Sequence, residues 1–178
     1  MIRLFAALQI PEEIAGDLSV RQQGLPGARW RTQDTLHVTL AFYDQVSQPV
    51  AAEIDAGLKA LISSPFEIEL SGVGSFGEGG EVRAIWAGVA DCEPLNRLAR
   101  QAQTVGRRAG ARMERRSFRP HVTLAYLKRP DPARVAAWVG RHNLLHSPPF
   151  RVTWFGLWSS WPSAEGSRYE LEREYALI

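Results

Sequence analysis

The chain contains the same six-residue pattern twice, and this repeat is the feature that most constrains its fold. Residues 37–42 read His-Val-Thr-Leu-Ala-Phe, and residues 121–126 read His-Val-Thr-Leu-Ala-Tyr. Nearly half of the 178 residues separates the two copies. Similarity at such a spacing is typical of a fold with two similar halves. We therefore expect a single domain over residues 1–178, made of two pseudo-symmetric lobes that each carry one His-x-Thr motif.

Each copy has the alternation of a β-strand, in which successive side chains point to opposite faces. Val38, Leu40 and Phe42 are expected on the core face. His37 and Thr39 share the other face, roughly 7 Å apart along the strand. If a pseudo-two-fold axis brings the two copies together, two imidazoles and two hydroxyls converge on one cleft. A tetrahedral phosphate fits such a cleft, because its oxygens can accept hydrogen bonds from several directions.

The repeat also decides between a structural and a functional interpretation of its polar residues. A lone histidine on a strand is usually a surface residue or a hydrogen-bonded core residue. Packing does not explain four identical polar positions in matching local sequence. We therefore take His37, Thr39, His121 and Thr123 as the candidate site.

Composition narrows the class of protein. With 45% hydrophobic and 22% charged residues, the chain can bury a sizeable interior. A net charge of +2 and a pI near 9.0 are compatible with an anionic ligand. The single cysteine, Cys92, excludes an internal disulfide and a thiolate metal cluster. No segment predicts a membrane span or a cleaved signal, so we expect a cytoplasmic location. We also expect a monomer.

Three further patterns are weaker. The basic segment 107–119 is as compatible with a solvated loop as with a nucleic-acid contact. The glycine-rich run 72–80 lacks the Lys-Ser/Thr ending of a nucleotide-binding P-loop. His142 and His146 have the spacing of helical zinc ligands, but prolines follow and no glutamate lies beside His142. We predict no metal site there.

Periodicity and turn residues predict an α+β fold, with two antiparallel sheets and flanking helices around a central cleft. Helices are predicted over residues 11–23, 49–61, 94–109 and 130–139. Strands are predicted over residues 2–10, 28–31, 37–42, 66–70, 82–89, 121–126, 150–160 and 169–177.

The paired motifs and their spacing resemble the 2H phosphoesterase superfamily, and within it the bacterial RNA 2′,3′-cyclic phosphodiesterases, also called 2′-5′ RNA ligases. The likeness also covers residues 3–8, 36–40, 72–77, 85–89, 120–124 and 157–160. It implies a bilobed fold that works without a metal or other cofactor. The implied reaction opens a 2′,3′-cyclic phosphate at an RNA end to a 2′-phosphate, and the same site can run a 2′-5′ ligation.

Histidine suits both proton transfers of such a reaction, because its ordinary pKa is about 6.5. The resemblance implies that His37 is the proton donor and His121 the proton acceptor. Thr39 and Thr123 would hold the non-bridging phosphate oxygens as charge moves onto them.

The chain departs from the family pattern at Tyr126, where members often carry an arginine that helps neutralise the phosphate. Arg119, Lys128 and Arg129 are the candidate replacements. We predict substrate contacts from Arg119 and Lys128 and from the aromatic residues Phe42 and Tyr126.

Two alternatives remain beside this interpretation. The first is a non-catalytic module that binds RNA ends or nucleotides. Binding needs hydrogen-bond donors but does not need two titratable groups with identical threonine partners, so catalysis is favoured. The second is a phosphodiesterase acting on small cyclic phosphates, such as a nucleotide or an ADP-ribose derivative.

Overall fold

A computed structural model describes all residues, 1–178, and contains ten strands and four helices. The strands are β1 (Ile2–Gln9), β2 (Arg29–Trp30), β3 (His37–Val46), β4 (Phe66–Ile68), β5 (Leu70–Phe76), β6 (Ala84–Val89), β7 (His121–Tyr126), β8 (Phe150–Val152), β9 (Trp154–Ser163) and β10 (Gly166–Ala176). The helices are α1 (Glu12–Ser19), α2 (Gln48–Lys59), α3 (Glu93–Arg108) and α4 (Pro132–His142).

Both repeat copies form strands in the middle of one antiparallel sheet. This sheet has eight strands in the order β10-β9-β1-β3-β7-β6-β5, with β2 added against β7. A second sheet contains only β4 and β8. The predicted α+β class with two antiparallel sheets is confirmed, although the two sheets are very unequal in size.

The two motif strands, β3 and β7, meet at one residue pair. Val38 is matched with Val122, and this pair alone joins β3 to β7. Continuing the antiparallel register by one residue each way places His37 opposite Thr123, and Thr39 opposite His121. Beyond this crossing β3 leaves β7, and β2 takes its place at the far end of β7. The space between the separating strands is where the polar faces of both motifs are exposed.

The two sides of the large sheet do not correspond to the two halves of the chain. The C-terminal hairpin β9–β10 returns to pair with β1, on the side of the sheet that holds β3. Helix α3, which follows β6 in the chain, also packs against β3. The two sides of the sheet are therefore built from interleaved segments, and one hydrophobic cluster runs through both. None of the helices is long and apolar enough to cross a membrane.

Each motif strand carries a β-bulge at its leucine. On β3, the partners of Thr39 and Ala41 are adjacent residues of β1, which leaves Leu40 as the extra residue. On β7, the same shift against β6 leaves Leu124 as the extra residue. The repeat is thus reproduced in backbone geometry as well as in sequence.

The bulges change which way the terminal aromatic residues point. A bulge inserts one residue and resets the alternation of the strand that contains it. Phe42 and Tyr126 are consequently exposed, at 38% and 44%, on the side of the histidines. The prediction that Phe42 faces the core is wrong for this reason.

The predicted helices are all present, and their bounds differ most at the end of α1. This helix stops at Ser19, and residues 20–23 form turns instead of a further helical turn. The side-chain amide of Gln22 donates to the carbonyl oxygens of Arg31 and Leu124, at 2.8 and 3.0 Å. These tertiary hydrogen bonds replace the helical continuation that the local sequence favours.

The glycine-rich run 72–80 contributes most of a strand, β5, which the pattern did not predict. The ring of Trp86 lies against the backbone of Gly74, where a Cβ atom would come within 2.5 Å of the ring. Glycine is required at this close approach. The predicted strand over 150–160 is also divided, at Thr153, into β8 of the small sheet and β9 of the large one.

We expect Gly74→Ala to lower the free energy of unfolding by about 1–3 kcal/mol, because the added methyl group overpacks against Trp86. Gly140→Ala is the matched control, since nothing lies within 4 Å of its Cβ position on α4. Alanine there should stabilise the protein by about 0.5–1 kcal/mol. Urea denaturation measures both changes. Equal stability of Gly74→Ala and wild type would contradict the close packing.

Candidate active site

A cavity of about 750 Å³ lies between the two motif strands. It brings together all but one of the predicted site residues: His37, Thr39, Phe42, Arg119, His121, Thr123 and Tyr126. The exception is Lys128, which is exposed in the turn after β7 and does not line the cavity. Arg129, in the same turn, does not line it either.

The two imidazoles are held by the same hydrogen bond. His37 Nδ1 lies 2.7 Å from the carbonyl oxygen of Thr35, and His121 Nδ1 lies 2.6 Å from that of Arg119. A carbonyl oxygen only accepts hydrogen bonds, so Nδ1 carries the proton in each neutral ring. Nε2 of each ring has no partner in the protein. Each histidine therefore presents a free ring nitrogen at the cavity.

Aromatic rings fix the orientation of both imidazoles. The ring of His37 lies 5.1 Å from Phe5 and meets Tyr169 edge-on at 5.4 Å. The ring of His121 meets Phe76 edge-on at 4.7 Å. These are the usual separations of aromatic pairs. Because rings enclose each histidine, little rotational freedom remains for either side chain.

Enclosure also weakens the basicity of both histidines. The pKa of His37 is lowered from 6.5 to about 4: burial is the largest cause, the hydrogen bond to the Thr35 carbonyl opposes it, and the charges of Arg31 and His121 add to the lowering. Burial lowers the pKa of His121 too, against the opposing effect of its bond to the Arg119 carbonyl. Both rings are consequently neutral at pH 7 in the ligand-free protein. A bound anion would favour the protonated forms and raise both pKa values.

The two motif threonines offer free hydroxyl groups. Thr39 and Thr123 are half-buried on the cavity face of their strands. Neither hydroxyl belongs to any side-chain hydrogen bond of the protein, whereas Thr35 and Thr104 both bond to backbone carbonyls. With the two Nε2 atoms, they form a set of four polar groups with no internal partners. The two hydroxyls can donate to a small oxyanion, and each Nε2 can donate as well once its ring is protonated.

Residues 10–160 match the model of the 2′-5′ RNA ligase superfamily. The chain belongs to that superfamily. It is similar to the RNA 2′,3′-cyclic phosphodiesterase of Archaeoglobus fulgidus, at 30% identity over 134 residues, 74% of this chain and 76% of the other. The enzyme of the same name from Aeropyrum pernix is 35% identical over 111 residues, 62% of each chain.

Comparison of the fold with solved structures also indicates a phosphoesterase of this superfamily. The crystal structure of Escherichia coli LigT complexed with 3′-AMP superposes with a TM-score of 0.83 at 26% identity, covering 99% of this chain and 98% of that one. These relationships identify the chain as a 2H phosphoesterase, which confirms the resemblance found in the paired motifs.

This 2H phosphoesterase has a cationic cavity. Besides Arg119, the lining includes Arg31, Arg83 and Arg116. Arg116 belongs to the basic segment 107–119, whose last residues form one wall of the cavity. Sequence reasoning missed Arg31. The available signal was its position after Trp30, since an aromatic residue turned to the core places its neighbour on the opposite face of the strand.

No group of three or more His, Cys, Asp or Glu side chains lies close enough to hold a metal ion. His142 and His146, which have zinc-like spacing in the sequence, contact different partners. His142 ends α4 and packs on Trp138 at 4.7 Å. His146 lies beyond the helix, where its Nε2 is 3.7 Å from a carboxylate oxygen of Glu69.

The lowered pKa of His37 predicts a loss of stability in acid. Between pH 6.5 and about 4 the unfolded chain binds a proton at this residue more readily than the folded protein does. The free energy of unfolding therefore falls as the pH falls through this window. His37→Asn keeps an amide donor for the Thr35 carbonyl and does not titrate. Its urea midpoint should fall less than that of wild type from pH 6.5 to 4, and parallel curves would contradict the burial of a neutral ring.

Proposed function

We propose that this phosphoesterase hydrolyses 2′,3′-cyclic phosphates at RNA ends to 2′-phosphates without a metal, and that the same site can run a 2′-5′ ligation. One observation carries the proposal. Two imidazoles with the same tautomer line one cavity from neighbouring strands, beside two threonine hydroxyls that have no protein partner. A non-catalytic binding module does not need this pair of poised titratable groups.

The two histidines divide the proton transfers. Nε2 of His121 accepts a proton from water as the water oxygen bonds to phosphorus. The bond from phosphorus to the ribose 3′ oxygen breaks, and protonated His37 gives its Nε2 proton to that oxygen. The products are a 2′-phosphate and a 3′-hydroxyl, and a proton returns from His121 to His37 through solvent. The antiparallel register at Val38 and Val122 supports in-line geometry. It sets each histidine opposite the threonine of the other motif, so the two rings lie diagonally across the site.

His37 acquires its proton with the substrate. In the ligand-free protein the pKa of about 4 keeps this ring neutral at neutral pH. The negative charge of a bound phosphodiester favours the imidazolium and offsets the repulsion from neighbouring cations. The acid is thus formed where the leaving oxygen needs it, and the empty enzyme does not hold an additional buried charge.

Thr39 and Thr123 complete the reaction centre by donating hydrogen bonds to the non-bridging oxygens, where negative charge develops. Phe42 and Tyr126 border the cavity with exposed rings, which are suited to contact a ribose or a base. Arg119 contributes positive charge beside His121.

The RNA assignment rests on the relatives and on charge. Curated relatives are named RNA 2′,3′-cyclic phosphodiesterases, and the E. coli protein binds 3′-AMP. The cavity volume of about 750 Å³ lies in the usual range for sites of small organic ligands. A cavity lined by several arginines also suits a polyanion better than a neutral ligand.

We expect His37→Ala and His121→Ala each to lower kcat on a 2′,3′-cyclic-phosphate-ended oligoribonucleotide by at least about 100-fold, because each removes one proton transfer. The double variant should lose much less than the product of the two single losses, since the groups act as a unit. Binding should weaken far less than turnover. Phosphorus NMR of the product should show a 2′-phosphate.

A substrate with sulfur in place of the 3′ bridging oxygen separates the two roles. A thiolate leaves without protonation, so this substrate should restore turnover to His37→Ala but not to His121→Ala. The opposite pattern would reverse the assignment of acid and base. Binding of the oligonucleotide without ring opening by wild type would establish the binding module instead, and turnover of mononucleotides alone would establish a small-molecule phosphodiesterase.

We expect full activity in excess EDTA, because the proposed proton transfers and oxyanion contacts need only protein groups. The control is a sample dialysed against chelator and then supplied with Mg²⁺, Mn²⁺ or Zn²⁺. Loss of turnover in chelator and its recovery with one of these ions would overturn the metal-independent mechanism.

A further inference from the structure

Arg31 is a cation in the active-site cavity that has no counterion. It lines the cavity with both histidines and takes part in none of the ion pairs of the protein. Its Nη2 atom is buried and has no hydrogen-bond partner. A buried charged donor without an acceptor is costly. An anion bound in the cavity would supply the counterion that the chain does not provide.

Two tyrosine rings set the position of the guanidinium group. Its central carbon lies 5.6 Å from the ring centroid of Tyr126 and 5.2 Å from that of Tyr169, within the range of cation–π contacts. Tyr169 also meets the imidazole of His37 edge-on. The charge of Arg31 is consequently held close to His37, where it contributes to the low pKa of that ring.

The backbone of Arg31 is tied to the second motif strand. Its amide donates to the carbonyl oxygen of Leu124 at 2.8 Å, and the amide of Gln22 bridges the carbonyl oxygens of both residues. On the other face, Trp30 packs on Trp138 at 6.1 Å. The side chain thus starts from a fixed point beside Thr123 and reaches across to the side of His37.

We propose that Arg31 is the phosphate-binding cation of the site, its guanidinium group donating to a non-bridging oxygen of the phosphate held between the two motifs. This role rests on the proposed function. The other cavity arginines are less suited to it. Arg116 is exposed and lies 3.6 Å from a carboxylate of Glu114, and Arg119 is exposed. Arg31 alone combines a buried, unpartnered donor with an aromatic clamp.

The same contact links binding to proton transfer. A phosphate that accepts from Arg31 cancels the repulsion between this guanidinium group and protonated His37. Substrate binding therefore converts His37 from a neutral ring into a proton donor. The arginine would act both on the charge of the phosphate and, through that charge, on the acid.

The direct test is the binding of inorganic phosphate, followed by calorimetry, to wild type and to Arg31→Gln, Arg31→Lys and Arg134→Gln. Arg31→Gln should weaken binding by at least about tenfold, because a charge-assisted hydrogen bond is lost. Arg31→Lys should bind phosphate with an affinity between those of wild type and Arg31→Gln, since lysine keeps the charge but loses the planar donor group. Arg134 is an exposed residue of α4, 3.8 Å from Asp131, so Arg134→Gln removes the same charge and should change binding by less than about twofold.

A second readout separates this role from a structural one. NMR titration of the His37 ring should show a higher pKa in free Arg31→Gln than in free wild type, and a smaller rise when phosphate is added. Urea denaturation of each variant checks that it is folded. Unchanged phosphate affinity together with an unchanged His37 titration would overturn the proposal, as would a wild type that binds no phosphate.

Turnover distinguishes the failure of this inference from the failure of the proposed function. If Arg31→Gln loses phosphate affinity but wild type opens no cyclic phosphate, Arg31 is the anion site and the proposed reaction is wrong. If wild type is active and Arg31→Gln retains both its turnover and its phosphate affinity, the reaction stands and Arg31 has no part in it.

Discussion

The site depends on one hydrogen bond that the chain makes twice, from the Nδ1 atom of a histidine to the carbonyl oxygen two residues earlier. Each bond fixes the tautomer and leaves Nε2 as the free nitrogen. The acceptor lies just before each motif strand, so the bond is local to the start of that strand. The remaining requirement is that the two strands meet, and the pair Val38 and Val122 supplies that meeting point. The arrangement of the two histidines thus depends on one local hydrogen bond at each ring and on the single residue pair that joins β3 to β7.

The surroundings of the two histidines are similar in kind but differ in charge. Both rings are enclosed by aromatic side chains, and burial lowers both pKa values. Arg31, however, is turned toward His37, and Arg119 affects His121. A nearly symmetric repeat can therefore perform two different proton transfers. The bulges at Leu40 and Leu124 add an exposed aromatic ring to each strand at the cavity rim.

Much of this could be predicted from the sequence, because the repeat and its period of two determine which side chains share a face. His37 and Thr39 were placed correctly on one face of β3. Phe42 was misplaced because a bulge arises from pairing with β1 and leaves no mark in the alternation. Arg31 was missed for a related reason. Its position after Trp30 indicates which face it occupies, but its place in the cavity comes from β2 lying against β7, a contact between segments far apart in the chain.

Both imidazoles present a free Nε2 to the cavity. Long-range ¹H–¹⁵N correlation NMR of the histidine rings at neutral pH tests it directly, with His37→Asn and His121→Asn used for assignment. The structure predicts two neutral rings, each with its proton on Nδ1 and an unprotonated Nε2. A proton on Nε2 of either neutral ring, or a charged imidazolium at both positions in the free protein, would contradict the account.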